Sequence, residues 1–313
     1  MTRQDSWRQM AEEYLMIRRG LGFKLTSFGN LLAGFADRLD QSGAATITTQ
    51  ACVDWATDTI RSTNPVTWSR RMLVARLFAR YMKAFDPATE IPPPDVLNHF
   101  KARRVPYLYT HDDVTALMGL AHRHVAGSMY VTLIGLAWCS GLRLGELLRL
   151  DDTDIDWDNQ LIHVKGTKFG KSRDVPLHPS TMAALASYQH ERNRLLPNRA
   201  EASLFTNTRG RRPAMASVGG VFRKLVTQAG LPLTCDGHPA RFHDLRHSAA
   251  TQTLIQCYRD GADPEQVIAA LSVYLGHVDP RSTYWYLTGS PELMSLAAQR
   301  LDRIAVDGGD DND

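Results

Sequence analysis

The stretch IDWDNQLIHVKGTKFGKSRDVPL, residues 155–177, breaks the pattern of the chain around it. Ile155-Asp156-Trp157, Leu161-Ile162-His163-Val164 and Arg173-Asp174-Val175-Pro176-Leu177 read as short alternating strands, the period of a half-buried sheet. Asp158-Asn159 and the Gly166 to Gly170 stretch supply turn residues between them. A small three-stranded antiparallel sheet is expected here. Outward in both directions the apolar residues recur at helical spacing, which predicts a mainly α chain with one small antiparallel β-sheet.

Before the sheet, helices are expected over Thr110 to Ala121, Met129 to Cys139 and Arg143 to Leu150. After it they are expected over Ser180 to Leu195, Ala216 to Ala229, Asp244 to Tyr258, Pro264 to Leu275 and Pro291 to Ile304. Nearer the start, Trp7 to Arg18, Phe28 to Leu39, Thr48 to Ile60 and Val66 to Phe85 form a second group. The third of these is expected to bury Val53, Trp55 and Ile60. The fourth follows Asn64-Pro65, and proline at a helix start costs nothing because its missing N–H would be unpaired there. It carries Arg70, Arg71, Arg76, Arg80 and Lys83 around Met72, Leu73, Leu77, Phe78 and Tyr81. Such a helix is either a solvated face or one that meets phosphates.

Pro87, Pro92, Pro93 and Pro94 interrupt the helices, and consecutive prolines favour an extended connection. The expected organisation is a helical domain over 1–86 and a Pro-rich basic linker over 87–106 with Lys101, Arg103 and Arg104. A second domain covers 107–304, and an acidic tail covers 305–313. A chain of 313 residues is comfortable for two domains. The formal charge is +3, and four aspartates lie in the tail, so the remainder is more basic than the total. Four cysteines without a CxxC pair point to neither a disulfide framework nor a zinc site. No apolar h-region and no long apolar run is present, so a cytoplasmic setting without membrane attachment is expected.

Four short stretches carry reactive side chains. Ser140-Gly141-Leu142-Arg143-Leu144-Gly145-Glu146-Leu147 puts Arg143 and Glu146 on one helix face. The hairpin turn holds Lys165, Lys168 and Lys171. His243-Asp244-Leu245-Arg246-His247 puts His243 and Arg246 one helical turn apart, with Arg241 nearby. Leu275-Gly276-His277 precedes Tyr284-Trp285-Tyr286-Leu287, and Tyr286 lies nine residues after His277. Taken singly, each has a plain structural reading: a surface ion pair, a solvated turn, a chance HxxR and a core tyrosine.

Their order is more specific. Arg143, Lys168 on a hairpin, His243-x-x-Arg246, Leu-Gly-His277 and then Tyr286 near the end of the chain resemble the tyrosine recombinase (phage integrase) family. The resemblance covers nearly all of 107–304, and the N-terminal helices are similar to the DNA-clamping domain of such enzymes. Arg104 to Thr110 and Tyr284 to Thr288 resemble recombinases of mobile elements that encode several recombinases together. The resemblance implies a two-domain enzyme, a helical clamp plus a mixed α/β catalytic domain, that cuts and rejoins DNA through a 3′-phosphotyrosine. Arg143 and Arg246 would bind the phosphate, and Lys168 would be the general acid, with Lys165 and Lys171 its rivals. His243 and His277 would fill the two histidine positions, Glu146 would support Arg143, and Tyr286 would be the nucleophile. On a helix Tyr284 would point about 200° away from Tyr286, and it would pack in the core or meet DNA.

The same resemblance implies double-stranded DNA as partner, a homo- or hetero-tetramer on it with related recombinases, a nucleoid-associated state when bound, and neither metal nor other cofactor. Arg70, Arg71, Arg76, Arg80, Lys101, Arg103, Arg104 and Lys171 are the candidate DNA contacts. The last helix, with Leu293, Met294, Leu296, Leu301 and Ile304, would pack on its own domain or on a neighbouring subunit. Two other readings are a type IB topoisomerase and a catalytically inactive accessory DNA-binding subunit.

Overall fold

The computed structural model describes residues 6–60, 62–98, 104–166, 172–199, 201–276, 281–284 and 290–307. The chain divides into two compact units, 1–103 and 104–313. The first holds α1 (Trp7–Gly20), α2 (Thr26–Gln41), α3 (Thr49–Ala56) and α4 (Pro65–Met82). Local chemistry starts each of three of these helices. Ser6 and Gln9 form a reciprocal capping box at α1, Thr48 accepts from the Ala51 N–H at α3, and Asn64 caps α4 with Pro65 behind it. The core between them is built on Leu32, Phe35, Met72 and Phe78, none of them exposed.

The basic residues of α4 separate into two sets. Arg71 is buried and donates to the carbonyls of Ala56 and Asp58 (both 3.3 Å), so it closes the C-terminal end of α3. That helix therefore stops short of Ile60, which is 95% exposed rather than buried as expected. Arg76 donates to the carbonyls of Pro92 (2.9 Å), Pro93 (2.8 Å) and Val96 (2.9 Å), and Lys83 to those of Pro87 (2.6 Å) and Thr89 (2.8 Å). Prolines cannot donate but their carbonyls accept, so the Pro-rich stretch from Pro87 to Val96 is fastened to α4. Arg70 and Arg80 stay exposed on the face that also bears the half-exposed Leu73.

The second unit holds α5 (His111–His122), α6 (Gly127–Ser140), α7 (Leu144–Leu147), β1 (Ile155–Asp156), β2 (Leu161–Val164) and β3 (Arg173–Pro176). It continues through α8 (Pro179–Leu195), α9 (Met215–Gln228), α10 (Phe242–Arg259), α11 (Pro264–Leu275), α12 (Arg281–Tyr284) and α13 (Pro291–Asp307). The sheet is antiparallel in the order β1-β2-β3, with Ile162 opposite both Ile155 and Val175. The expected alternation is present: Ile162, Val164 and Val175 turn into a core that includes Leu133, Leu147, Phe205, Phe222 and Leu245. The chain is thus mainly helical with one small antiparallel sheet, as the sequence predicts.

A smaller cluster packs Ala250, Leu254 and Ile255 of α10 against Ile268, Leu271 and Leu275 of α11 and Leu293 of α13. Arg259 pairs with Glu292 at 2.5 Å, and Arg300 donates to the Ala262 carbonyl (2.6 Å). The start of α13 therefore packs on its own unit. Among the described residues no helix is long and apolar enough to cross a membrane.

Candidate active site

Helix α6 ends because Gly141 takes a left-handed φ of +62°. A side chain there would be strained at this φ, and its Cβ would stand 2.9 Å from Leu275 Cδ2, so glycine suits the turn against α11. The chain turns into Arg143, the N-cap of α7. Its backbone N–H and its Nη1 both donate to Glu146, at 3.0 and 2.9 Å. The Glu146 side chain is 3% exposed and the Arg143 side chain 37%. The guanidinium is thus held from the protein side and presented to solvent.

Glu146 has a second cation. Arg173, the first residue of β3, donates from Nη1 (3.3 Å) and Nη2 (3.0 Å) to the two carboxylate oxygens. Burial pushes the Glu146 carboxyl up, but the Arg173 hydrogen bonds, the Arg143 N–H and both guanidinium charges outweigh it and hold its pKa at about 2. Arg173 Nε donates to the Tyr274 carbonyl (2.7 Å). Residue 173 was not singled out in the sequence, yet a signal was there. It shares a strand face with the buried Val175, and a charge on an inward face requires a partner.

Arg246 lies in the second turn of α10 and is 1% exposed. Its Nη1 donates to the Gly141 carbonyl (2.8 Å) and its Nη2 to the Leu275 carbonyl (2.6 Å). One side chain therefore fastens the residue two before Arg143 to the residue two before His277. Gly276, with φ +67°, ends α11.

His243, in the first turn of α10, reaches solvent and stacks edge-on with His247 at 5.0 Å between ring centroids. The protein crowding around the ring, then the charges of Arg246, Arg241 and Arg143, outweigh the opposite pull of Asp244 and lower its pKa from 6.5 to about 4. Arg241 itself is paired with the buried Asp244 (2.7 Å). His243 is consequently neutral at neutral pH. An unfolded chain binds this proton near 6.5 and the folded one only near 4, so stability rises with pH across that window. In ring titrations by NMR we expect His243 to stay neutral down to pH 5, and the urea midpoint of His243→Gln to fall less than wild type between pH 7 and about 4.5. A His243 titration centred near 6.5 would overturn this assignment.

Lys165 is bound to Asp154 (2.6 Å), and it remains with Lys168 and Lys171 a claimant for the hairpin position. Lys168, Lys171, His277, Tyr286, Lys101 and Arg103 lie outside the described residues. Tyr284 is 51% exposed, so it is not a core residue. Arg104 is half-buried.

The fold that carries these residues is a known one. The integrase of transposon Tn1549, solved in complex with transposon right end DNA, superposes with a TM-score of 0.65 at 17% identity, over 96% of this chain and 100% of that one. Residues 108–292 match the model of the phage integrase family. The chain is 41% identical over 308 residues to the putative integrase/recombinase y4rB of Sinorhizobium fredii (strain NBRC 101917 / NGR234), covering 96% of this chain and 98% of that protein. It is 30% identical over 234 residues to the tyrosine recombinase XerD of Caulobacter vibrioides (strain ATCC 19089 / CIP 103742 / CB 15), covering 72% of each. The chain belongs to the phage integrase family, the tyrosine recombinases.

Proposed function

We propose that this chain is a site-specific recombinase that cleaves and rejoins duplex DNA through a 3′-phosphotyrosyl link on Tyr286, in the integration, excision or transposition of a mobile element. The observation that carries the reading is the pair of hydrogen bonds that Arg246 donates to the Gly141 and Leu275 carbonyls, which gathers three motifs distant in sequence at one place.

In the proposed reaction the Tyr286 oxygen attacks the scissile phosphorus and the bond to the 5′-oxygen breaks. Arg143 and Arg246 bear on the non-bridging oxygens, where charge grows as the phosphorane forms. A phenol has a pKa of about 10 and needs an acceptor for its proton; the neutral His243 is suited to that role. Binding a phosphate beside it offsets the arginine charges and strengthens the imidazole as a base. Lys168 delivers a proton to the departing 5′-oxygen, and His277 steadies the phosphate. The phosphodiester energy stays in the covalent link, so rejoining by a 5′-hydroxyl requires no nucleotide and no metal.

Arg70 and Arg80 are the DNA backbone contacts favoured by their exposure on α4, joined by the half-buried Arg104. The others proposed are Lys101, Arg103 and Lys171, while Arg71 and Arg76 are engaged by backbone carbonyls of their own unit. A homo- or hetero-tetramer on two duplexes, with related recombinases, completes the reading. The test is incubation of the full chain with nicked duplexes made from the DNA flanking its gene, followed by denaturing electrophoresis. A protein–DNA adduct is expected. Specific binding without any adduct would instead identify an accessory DNA-binding subunit.

A further inference from the structure

We propose that Arg173 is a positioning residue for strand cleavage: from the root of the hairpin that carries Lys168, it holds both the carboxylate that aims Arg143 and the backbone that leads into His277. This rests on the recombinase reading above.

All three guanidinium nitrogens of Arg173 are committed. Nη1 and Nη2 take the two oxygens of Glu146, and Nε takes the Tyr274 carbonyl. The flat face of the group lies against Gly276. A Cβ on that residue would come within 2.9 Å of Nη1, 3.1 Å of Cζ and 3.3 Å of Nε. The glycine of Leu275-Gly276-His277 therefore serves two needs, a left-handed φ of +67° and room for Arg173. The Arg173 side chain is 11% exposed and Glu146 is 3% exposed, so the pair is largely taken out of water. For stability alone, an apolar pair of similar volume serves such a site as well or better. What the ion pair adds is direction. A carboxylate fixed on one side by a planar fork has its remaining lone pairs fixed as well, and these receive the Arg143 N–H and Nη1.

Three parts of the site thus meet on one side chain. β3 begins at Arg173, five residues after Lys168. α7 supplies Glu146 and Arg143, and the end of α11 supplies Tyr274 and Gly276. Arg246 holds the neighbouring Leu275 carbonyl, so the approach to His277 is clasped by two arginines in succession. Lysine in place of Arg173 would keep the charge but reach only one of these acceptors at a time.

The test is single-turnover covalent attachment of wild type, Arg173→Gln, Arg173→Lys, Glu146→Gln and the Arg173→Gln/Glu146→Gln double variant. Each is run on two nicked duplexes. One has an ordinary scissile phosphodiester. The other has a 5′-bridging sulfur, whose thiolate departs without a proton and so bypasses the general acid. Misplacing Arg143 is expected to slow attachment by Arg173→Gln on the order of 10²-fold on both duplexes. DNA affinity should stay within about threefold, since the loss is in the transition state. Arg173→Lys should fall between Gln and wild type, and the double variant should be no slower than the worse single one. Attachment within about threefold of wild type overturns the proposal. So does full recovery on the sulfur duplex, which would mean that Arg173 serves only the Lys168 hairpin. If Arg173→Gln does not fold, the Lys variant on the two duplexes decides.

If wild type attaches to neither duplex, the recombinase reading fails by itself. The clamp is then decided by carboxyl titration in the free protein. Glu146 should rise from about 2 toward the ordinary carboxylate range in Arg173→Lys, and an unchanged titration refutes it.

Discussion

Tyr286→Phe is expected to bind DNA as wild type does and to form no covalent adduct, a loss on the order of 10⁴-fold or more in attachment rate. The substitution removes one oxygen and keeps the ring, so packing and DNA affinity should change little. Tyr284→Phe should still attach. Tyr284 is 51% exposed at the end of the short helix α12 and lies two residues from Tyr286. An enzyme with Arg143 and Arg246 at a fixed place can present only one of the two phenols to a phosphate bound there. The readout is adduct on a nicked duplex, resolved by denaturing electrophoresis and mapped by peptide sequencing of the DNA-linked fragment. Attachment that survives Tyr286→Phe and disappears in Tyr284→Phe would transfer the role of nucleophile to Tyr284.

Arg246→Ala is expected to fail in two separable ways. As a phosphate ligand, its loss should slow attachment by about 10²–10³-fold, the usual effect of removing one donor from a developing oxyanion. As a structural tie, its loss strands the Gly141 and Leu275 carbonyls, each buried acceptor left unpaired costing about 1–3 kcal/mol. Arg246→Lys tells the two apart. It retains a positive charge, yet it can reach only one of the two carbonyls at a time. We expect Arg246→Lys to recover part of the thermal stability lost in the alanine variant while attachment stays at least about tenfold below wild type. A lysine variant that attaches at the wild-type rate would remove Arg246 from the phosphate site and leave it a purely structural role.

The sequence alone was enough for the sheet, most of the helices and the class. The change from helical spacing to alternation at residues 155–177 located the sheet, because the two periods are local properties of the backbone. The order of Arg143, Lys168, His243, Arg246, His277 and Tyr286 named the family that the chain belongs to. What the sequence could not separate were side chains of one type. Arg70, Arg71, Arg76, Arg80 and Lys83 looked alike along α4, but Arg71 and Arg76 are spent on carbonyls of their own unit while Arg70 and Arg80 face outward. Ile60 was apolar and in register with a helix, yet the helix ended before it.

Tyr286 and Lys168 are proposed from their order in the chain. Arg173 became visible only in three dimensions, since its partners Glu146 and Tyr274 are 27 and 101 residues away. Periodicity is written in near neighbours, whereas the sharing of Glu146 by Arg143 and Arg173, and the tie of Arg246 to two distant carbonyls, arise only when helices α7, α10 and α11 and strand β3 pack together. The sequence determined which residues are present and in what order. The tertiary structure decided which charges neutralise one another and which are left facing solvent, because burying a charge requires a partner that folding alone supplies.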